Sequence, residues 1–540
     1  MPADTISRTG VYHALKLDKD VHIPMRDGAY VVADVFRPDT DGRFPIIMTM
    51  GPYSKDIHFR EWNPSLDYEH LPERGPYMHW ETVNPDWWVP QGYVVIRVDG
   101  RGTGKSPGGV RRLSDEEARD FYDAVEWSAA QRWSNGKVGV MGISYFAMNA
   151  WRVAAQQPPH LAAIVPWEGA VDTYRDAGRH GGIYSNGFNQ RWARHVRSHE
   201  AGAAQQVPAD AASERAVPPE LFTELVYHVP DLSRIRVPLL SAGNWGGVAL
   251  HLRGNVEGFL GAGSEHKFLE IHSGDHIVPF YSLEGRLLQK RFLDQWLHDV
   301  DTGILREPRV RLAIRRGGDR YVWRYENEWP IARTQWTPLY LNAAKGTMSR
   351  DRLANAGNMR FTAEAGTPRD EARARDVFVG PAFEQETEFT GPVMLKLWIS
   401  STSDDADLFA IVRKIGRDGR EVMFPGQSQP AIPAACGWLR ASHRKLDPAR
   451  STPYRPYHSH DELQKLEPGA IVPVDIEIWP TSVVFEPGEH LVLEVASEDD
   501  PRMEPFLHND PIDRKRRGIT TIHAGGGYDS YLLMPLIPPR

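Results

Sequence analysis

Short apolar runs alternate with amphipathic segments through the first half of the chain. The runs occupy residues 45–50, 93–98, 138–142, 161–166, 237–242 and 267–271. Runs this short and this apolar are typical of strands buried on both faces. The clearest amphipathic segment begins at Ser114, which forms a capping box with Glu117 ahead of one apolar helix face. The alternation predicts a largely parallel sheet covered by helices, after an opening hairpin of residues 21–24 and 30–37.

Two later stretches break this rhythm. Residues 172–233 are rich in Arg, His, Gly and Ala and contain no strand-like apolar run, so we expect an inserted cap that is mostly helical. After about residue 305, apolar and polar residues alternate, as in 393–399 and 474–478. This period of two predicts a half-buried antiparallel sheet, most simply a β-sandwich or jelly roll.

A chain of 540 residues is too long for one ordinary core, so several domains are expected. We predict an α/β catalytic domain of residues 1–171 and 234–305, a helical cap of 172–233 and a C-terminal jelly-roll domain of 306–540.

Composition narrows the classes of function. The net charge of −8 is spread without long runs of one sign, unlike the clustered Lys and Arg of nucleic-acid-binding proteins. The single cysteine, Cys436, excludes an intramolecular disulfide and a Cys-rich metal site and fits a reducing compartment. The sequence shows no signal peptide and no run of the ~18 apolar residues that a membrane helix requires. We therefore expect a cytoplasmic protein that binds neither nucleic acid nor membranes, and leave homo-oligomerisation open.

A serine follows one of the buried strands directly. Residues 138–144 read V-G-V-M-G-I-S, and Tyr145 opens a helical run. A serine at a sharp strand-to-helix junction is a nucleophile elbow, with the helix N-terminus favouring negative charge beside it. Phe146 stands where G-x-S-x-G has its last glycine, followed by the small Ala147. The context predicts Ser144 as the nucleophile of a hydrolase.

A serine hydroxyl needs a general base before it can attack at neutral pH. In an α/β-hydrolase the base follows the last core strand, and residues 267–271 are such a strand. The loop behind it contains His272 and His276. We favour His276, because it lies further beyond the strand and precedes a helix, whereas His272 can be a strand-end residue.

Several segments, in order, resemble the cocaine esterase and X-Pro dipeptidyl-peptidase family of serine hydrolases over almost the whole chain. They are N-P-D-W-W (84–88), V-D-G-R-G-T-G-K-S (98–106), D-F-Y-D (120–123), W-S-N-G-K-V-G (133–139), G-I-S-Y (142–145), R-G-N (253–255) and G-P-V (391–393). The resemblance implies an α/β-hydrolase domain with a helical cap and a C-terminal jelly roll that helps to wall the site. It also implies an oxyanion hole formed by the Tyr145 N–H and the Tyr53 hydroxyl, and Tyr53 follows the 45–50 strand, where this fold presents its second donor.

The acid of the triad departs from the family pattern. The usual Asp of a G-W-x-D stretch is replaced by Gly246 within G-N-W-G-G (243–247). Some group must still orient the imidazole and stabilise its charged form. We predict Glu168, at the end of the 161–166 strand, as the acceptor for His276 Nδ1, and retain Asn244 and Asp275 as alternatives.

The predicted activity is cofactor-free and metal-free cleavage of carboxylic esters through an acyl-enzyme, with a small-molecule ester or amide as substrate. The alternatives are an X-Pro dipeptidyl aminopeptidase or amidase of the same family, and a catalytically dead binding protein. The candidate substrate-binding aromatics are Trp80, Trp87, Trp88 and Trp167.

Overall fold

The structure is a computed structural model that describes residues 14–110, 112–198, 200, 218–223, 229–363, 374–515 and 518–539. Within these ranges, no helix is long and apolar enough to cross a membrane.

The chain forms two large sheets in succession. Within the described ranges the first has ten strands in the order β1-β2-β4-β3-β5-β6-β9-β10-β11-β12, and β7 and β8 pair separately. The strands are β1 (Leu15–Pro24), β2 (Tyr30–Pro38), β3 (Phe44–Gly51), β4 (Val94–Asp99), β5 (Ser134–Ile143), β6 (Leu161–Trp167), β7 (Arg179–His180), β8 (Ile183–Tyr184), β9 (Leu239–Asn244), β10 (Lys267–His272), β11 (Val310–Gly317) and β12 (Arg320–Glu326).

The centre of this sheet is parallel, as the apolar runs predict. Each predicted run lies within one of β3, β4, β5, β6, β9 or β10 or overlaps most of it, and neighbouring strands from β4 to β10 pair in parallel. The predicted hairpin is the antiparallel pair β1–β2. Since parallel strands all end at the same edge, the residues that follow β3, β5, β6, β9 and β10 are brought together.

Helices cover both faces of the sheet. They are α1 (Phe59–Trp62), α2 (Pro85–Trp88), α3 (Asp115–Ala129), α4 (Tyr145–Gln156), α5 (Asn186–Arg197), α6 (Leu252–Gly261), α7 (Val278–Tyr281) and α8 (Leu283–Leu297). At the start of α3, Ser114 Oγ accepts from the Glu117 N–H at 3.1 Å, as predicted. The Glu117 carboxylate turns to the Tyr145 hydroxyl at 2.8 Å, which ties α3 to the first residue of α4.

The predicted cap begins with a π-helical turn, Thr173–Gly178, followed by the β7–β8 ladder and α5. Within the predicted cap, residues 199, 201–217 and 224–228 lie outside the described residues. Helix α5 reaches the edge of the first sheet, because Trp192 stacks on Tyr145 with ring centroids 5.9 Å apart.

The second sheet forms the C-terminal β domain. Strands β11 and β12 still extend the first sheet, and the chain enters the second sheet at β13. Its strands are β13 (Gln335–Asn342), β14 (Thr347–Ser349), β15 (Gly357–Thr362), β16 (Arg375–Ala382), β17 (Thr387–Ser401), β18 (Asp407–Ile415), β19 (Glu421–Val422), β20 (Ala435–Arg440), β21 (Val472–Phe485), β22 (His490–Ala496), β23 (Ile519–Ala524) and β24 (Tyr531–Ile537).

Strand pairing in the C-terminal domain closes on itself. The path runs from β17 through β21, β20, β18, β22, β16, β14, β13 and β24, and β24 pairs again with β17. Within the described ranges this makes a ring of nine strands. The predicted alternation is present: in β17, Val393, Leu395 and Leu397 all lie in the core.

Candidate active site

Ser144 lies between the end of β5 and the start of α4, as predicted for the nucleophile. Its φ of 56° and ψ of −113° form a sharp turn that non-glycine residues rarely adopt. Its N–H faces the carbonyls of Trp167 and Glu168, at 3.0 and 3.1 Å, so the end of β6 holds the turn in place. The hydroxyl therefore stands at the carboxyl edge of the sheet, beside the N-terminus of α4.

Two glycines make room for this turn. A Cβ on Gly142 would lie 2.6 Å from the Cβ of Phe146, and one on Gly169 would lie 2.4 Å from the Cβ of Ala147. The close approach usually provided by the last glycine of G-x-S-x-G is thus provided by Gly169, after β6, opposite Ala147. This explains why Phe146 is accommodated at the last position of the motif.

Both predicted oxyanion donors lie beside Ser144. Tyr53 follows β3 and is buried, and its hydroxyl is within hydrogen-bonding reach of Ser144 and of Glu81. Trp192 Nε1 donates to this hydroxyl at 3.2 Å, so the phenol accepts from Trp192 and can donate its own proton to another group, with Glu81 within reach. Burial raises the pKa of Tyr53 well above its usual value, so the phenol is neutral. Tyr145 is the first residue of α4, and its N–H has no acceptor within the helix.

Glu168 is fully buried at the end of β6, in a left-handed conformation with φ of 46°. Its Oε2 accepts from His276 Nδ1 at 2.7 Å, which confirms the predicted contact. Its Oε1 accepts from His272 Nε2 at 2.9 Å and from Asn244 Nδ2 at 3.2 Å. His272 and Asn244 therefore both support the carboxylate rather than the nucleophile.

Asp275, the third candidate acid, does not turn to an imidazole. Its Oδ1 accepts from the N–H groups of Ile277 and Val278, both at 2.7 Å, and so caps α7. The carboxylate of Asp275 therefore accepts from backbone N–H groups and does not orient His276, its neighbour in the sequence.

His276 is held between two carboxylates. Besides Glu168 on Nδ1, Glu81 Oε1 lies 3.1 Å from Nε2. Burial raises the pKa of Glu81, and its contacts with His276, Trp80 and Tyr53 oppose that rise. When both carboxylates are ionised they can only accept, so each ring nitrogen of His276 donates a proton and the ring is a cation. Burial opposes this charge, but Glu168 and Glu81 outweigh it and raise the pKa of His276 to about 10. In turn, although burial alone would raise it, the pKa of Glu168 is lowered to about 2 by His276 and His272.

The imidazole on the nucleophile is His251, which precedes α6 and was not predicted. Its Nε2 lies 3.2 Å from Ser144 Oγ, and its Nδ1 lies 2.9 Å from Gln427 Oε1. His276, the predicted base, lies instead between Glu168 and Glu81. Burial, and then the charge of His276, lower the pKa of His251 to about 3, so this ring is neutral.

The two rings are stacked, with centroids 5.1 Å apart and planes 7° apart. Sequence reasoning missed His251 because it lies four residues beyond the strand-end motif (243–247) that was searched for an acid. It also missed Glu81, which lies in an irregular segment outside any predicted element and has a φ of 60°. The only signal in the sequence was that His251 lies close to the family segment 253–255 and Glu81 close to the family segment 84–88.

The predicted substrate-binding tryptophans differ in position. Trp88 and Trp167 are fully buried, and Trp167 stacks on His272 with centroids 5.1 Å apart, so the prediction is wrong for both. Trp87 packs edge-on against Trp88 and beneath Arg286, so its observed contacts are packing contacts. Trp80 is half-buried, with its indole beside Glu81, and remains a candidate.

Glu168, His251 and His276 also form one of two groups among the described residues whose potential metal ligand atoms all lie within 4.8 Å of one another, the other being Asp20, Asp34 and Asp56. The lone pairs of an imidazole lie in the plane of the ring. Since the two ring planes are almost parallel, the lone pairs point side by side and do not converge on a common ion. The arrangement fits proton transfer better than metal coordination.

The chain is similar in sequence and in structure to known hydrolases. Residues 27–229 match the X-Pro dipeptidyl-peptidase (S15) family, and residues 302–533 match the X-Pro dipeptidyl-peptidase C-terminal non-catalytic domain. The structure superposes on a CocE/NonD family hydrolase from Staphylococcus aureus with a TM-score of 0.89 and 33% identity, covering 97% of this chain and 94% of that one.

Among sequence relatives, the cocaine esterase of a Rhodococcus species is 25% identical, over 96% of this chain and 98% of its own. A candidate Xaa-Pro dipeptidyl-peptidase of Bacillus cereus is 21% identical, over 87% of this chain and 83% of its own.

The fold and the elbow define a serine hydrolase of the α/β-hydrolase class with a C-terminal β domain. The chain belongs to the CocE/NonD family of hydrolases. Membership confirms the predicted enzyme class, a serine hydrolase with esterase activity.

Proposed function

We propose that the protein cleaves a small-molecule carboxylic ester through an acyl-enzyme on Ser144. The observation that carries this proposal is the contact between Ser144 Oγ and the neutral imidazole of His251 at 3.2 Å. A hydroxyl hydrogen-bonded to a neutral imidazole can lose its proton as it attacks an acyl carbon. The imidazole pair of His251 and His276, anchored by Glu168, supplies the base.

The oxyanion of the tetrahedral intermediate would lie between the Tyr53 hydroxyl and the Tyr145 N–H. Both groups are fixed before substrate arrives, Tyr53 by burial and by Trp192, and Tyr145 by its place in α4. Preorganised donors of this kind stabilise developing negative charge without reorganisation. Trp80 is our candidate for contact with the substrate.

The C-terminal domain contributes to the same site. Gln427 lies in the loop between β19 and β20 and contacts His251, which supports our inference that this domain walls the site. We infer that the C-terminal domain is a jelly roll. We also infer that the protein is cytoplasmic, because its one cysteine, Cys436, is buried and free.

The experiment is ester hydrolysis by wild type and Ser144→Ala over aryl, alkyl and amino-acyl esters, with X-Pro anilides as the peptidase alternative. We expect Ser144→Ala to lose several orders of magnitude in kcat with little change in Tm. Ser128→Ala, at a fully buried serine of α3, is the matched control and should keep its kcat. A Ser144→Ala variant with a tenth of wild-type activity would overturn the proposal, and turnover of X-Pro anilides alone would favour the peptidase.

A further inference from the structure

The two active-site histidines differ in every contact that decides their chemistry. His276 faces a carboxylate at each nitrogen, Glu168 at 2.7 Å and Glu81 at 3.1 Å. His251 faces neutral groups, the Gln427 amide oxygen at 2.9 Å and Ser144 Oγ at 3.2 Å. A ring that donates from both nitrogens has no lone pair left to accept a proton, whereas a ring that donates from one keeps a lone pair on the other.

We propose that His251, held by Gln427 of the C-terminal domain, is the general base for Ser144, and that His276 with Glu168 and Glu81 is a fixed charged support beneath it. This inference rests on the proposed function and divides the work of its imidazole pair. With Nδ1–H donated to Gln427, the lone pair of His251 Nε2 points at the Ser144 hydroxyl, the tautomer that a base requires.

Gln427 is placed to hold both histidines at once. Its side-chain oxygen accepts from His251, and its backbone carbonyl accepts from the His276 N–H at 2.9 Å. Its own N–H donates to the carbonyl of Gly246 at 3.0 Å. Gln427 thus fixes the position of the two rings relative to each other and to the segment 243–247, where Gly246 replaces the family's aspartate.

The loop that carries Gln427 also explains the glycine in the aspartate's place. A Cβ on Gly246 would lie 2.7 Å from the carbonyl oxygen of Pro425 and 2.9 Å from Gly426. An aspartate at position 246 would therefore collide with backbone of this loop. The loop occupies the space of the missing carboxylate and brings an amide oxygen to His251, as the asparagine does in Cys–His–Asn enzymes.

The proton steps balance in this arrangement. As Ser144 Oγ bonds to the acyl carbon, its proton moves to His251 Nε2, and the carbonyl electron pair moves onto the oxygen between Tyr53 and Tyr145. The same proton passes to the leaving alkoxide as the ester C–O bond breaks. Water then attacks the acyl-serine, gives a proton to Nε2, and that proton returns to Ser144 Oγ as the acid leaves.

The charged groups around His251 suit a transient second cation. His276 carries one positive charge, and Glu168 and Glu81, at its two edges, carry two negative charges when ionised, with His272 on the far side of Glu168. The His276 charge keeps His251 neutral at rest. The oxyanion that forms beside Ser144 offsets the proton that His251 gains during attack.

The dependence of kcat/KM on pH separates the two histidines, measured between pH 5 and pH 9 with a p-nitrophenyl ester. If His251 is the base, the rate is flat over this range, because its pKa is lowered to about 3. If His276 is the base, the rate rises about tenfold per pH unit towards its raised pKa of about 10. A rate that rises in this way would overturn the roles proposed for His251 and His276, but it would not contradict the proposed ester hydrolysis.

Variants of the C-terminal loop provide the second test. Gln427→Glu puts a carboxylate on His251 and should raise its pKa by about 1–3 units, moving the acid limb of the kcat profile upward. Gln427→Ala should lower kcat by on the order of tenfold. Gln429→Ala is the matched control, because Gln429 lies in the same loop but donates to the carbonyl of Met503 at 3.1 Å.

An unmoved acid limb in Gln427→Glu, with wild-type folding shown by circular dichroism, would contradict a base held by Gln427. If Gln427→Glu does not fold, His251→Ala decides: a loss of about 10²- to 10⁴-fold in kcat is expected, and kcat within threefold of wild type would overturn the proposal. If the wild-type protein turns over no ester at all, the proposed function itself would be refuted.

Discussion

Replacing Glu168 with glutamine keeps the shape of the side chain and removes its charge. The carboxylate accepts from three donors, His276 Nδ1 at 2.7 Å, His272 Nε2 at 2.9 Å and Asn244 Nδ2 at 3.2 Å. A glutamine has one oxygen and one NH₂, so at least one donor would face an N–H. Breaking a buried charged pair costs about 3–5 kcal/mol, and we expect the free energy of unfolding to fall by that amount. Because Glu168 anchors the charged His276 that stacks on His251, we also expect kcat to fall, by on the order of 10²- to 10⁴-fold.

The same variant should change the dependence of stability on pH. The folded pKa of Glu168 is about 2 against a usual 4.5, so its stabilisation is complete above about pH 4.5 and is lost as pH falls through 2. The folded pKa of His276 is about 10 against a usual 6.5, so its stabilisation is complete below pH 6.5 and is lost as pH rises through 10. Wild-type stability should therefore decline between pH 6.5 and pH 10, and Glu168→Gln should flatten that decline.

The assay is denaturant unfolding between pH 4 and pH 10, together with ester turnover. Glu270→Gln is the matched control, because Glu270 is buried on β10 and pairs with Arg311 at 2.7 Å; it lies 3.6 Å from His272 Nδ1 but is not a partner of His276. It should lose stability and keep most of its kcat. A Glu168→Gln variant that keeps wild-type kcat, or that declines between pH 6.5 and pH 10 as steeply as wild type, would refute the reasoning.

Three further predictions concern the walls of the site. Tyr53→Phe removes one oxyanion donor and should lower kcat by on the order of 10²-fold. Tyr93→Phe, at another buried tyrosine, is the control. An unchanged kcat with a raised KM in Tyr53→Phe would place Tyr53 in substrate binding. Trp192→Phe deletes the indole donor to Tyr53, worth about 1 kcal/mol, so kcat should fall about fivefold; unchanged kcat would remove α5 from the site. Gly246→Asp, which restores the family's carboxylate, should lower the free energy of unfolding by about 1–3 kcal/mol without raising kcat. Gly527→Asp is the control and should leave the free energy of unfolding unchanged, because there is open space around Gly527. A Gly246→Asp variant more active than wild type would contradict the steric account.

Chain order and strand ends were enough to predict the elbow and the acid. Ser144 follows a buried strand, and Glu168 ends the next strand in the sheet, so the edge they share is fixed by the parallel topology. His276 could be predicted for the same reason, because it follows β10. These residues are positioned by the backbone pattern, which hydrophobic periodicity reveals.

The rest of the site depends on contacts that periodicity does not reveal. His251 reaches Ser144 because a loop near Gln427, in another domain, holds its ring, and no local pattern links these two positions. Trp167 follows a run that predicts a strand correctly, and Trp88 lies in a family motif, but the direction of each ring is set by packing. Glu81 lies in irregular chain, where the sequence gives no period at all.

The central claim is that Ser144 is the nucleophile of an ester hydrolase. Labelling with a fluorophosphonate tests it most directly, with intact-mass measurement and peptide mapping of the adduct. We predict one adduct per chain, on Ser144, formed in step with loss of ester turnover and absent from Ser144→Ala. An adduct on another residue, or full ester turnover after Ser144 has been labelled, would contradict the account.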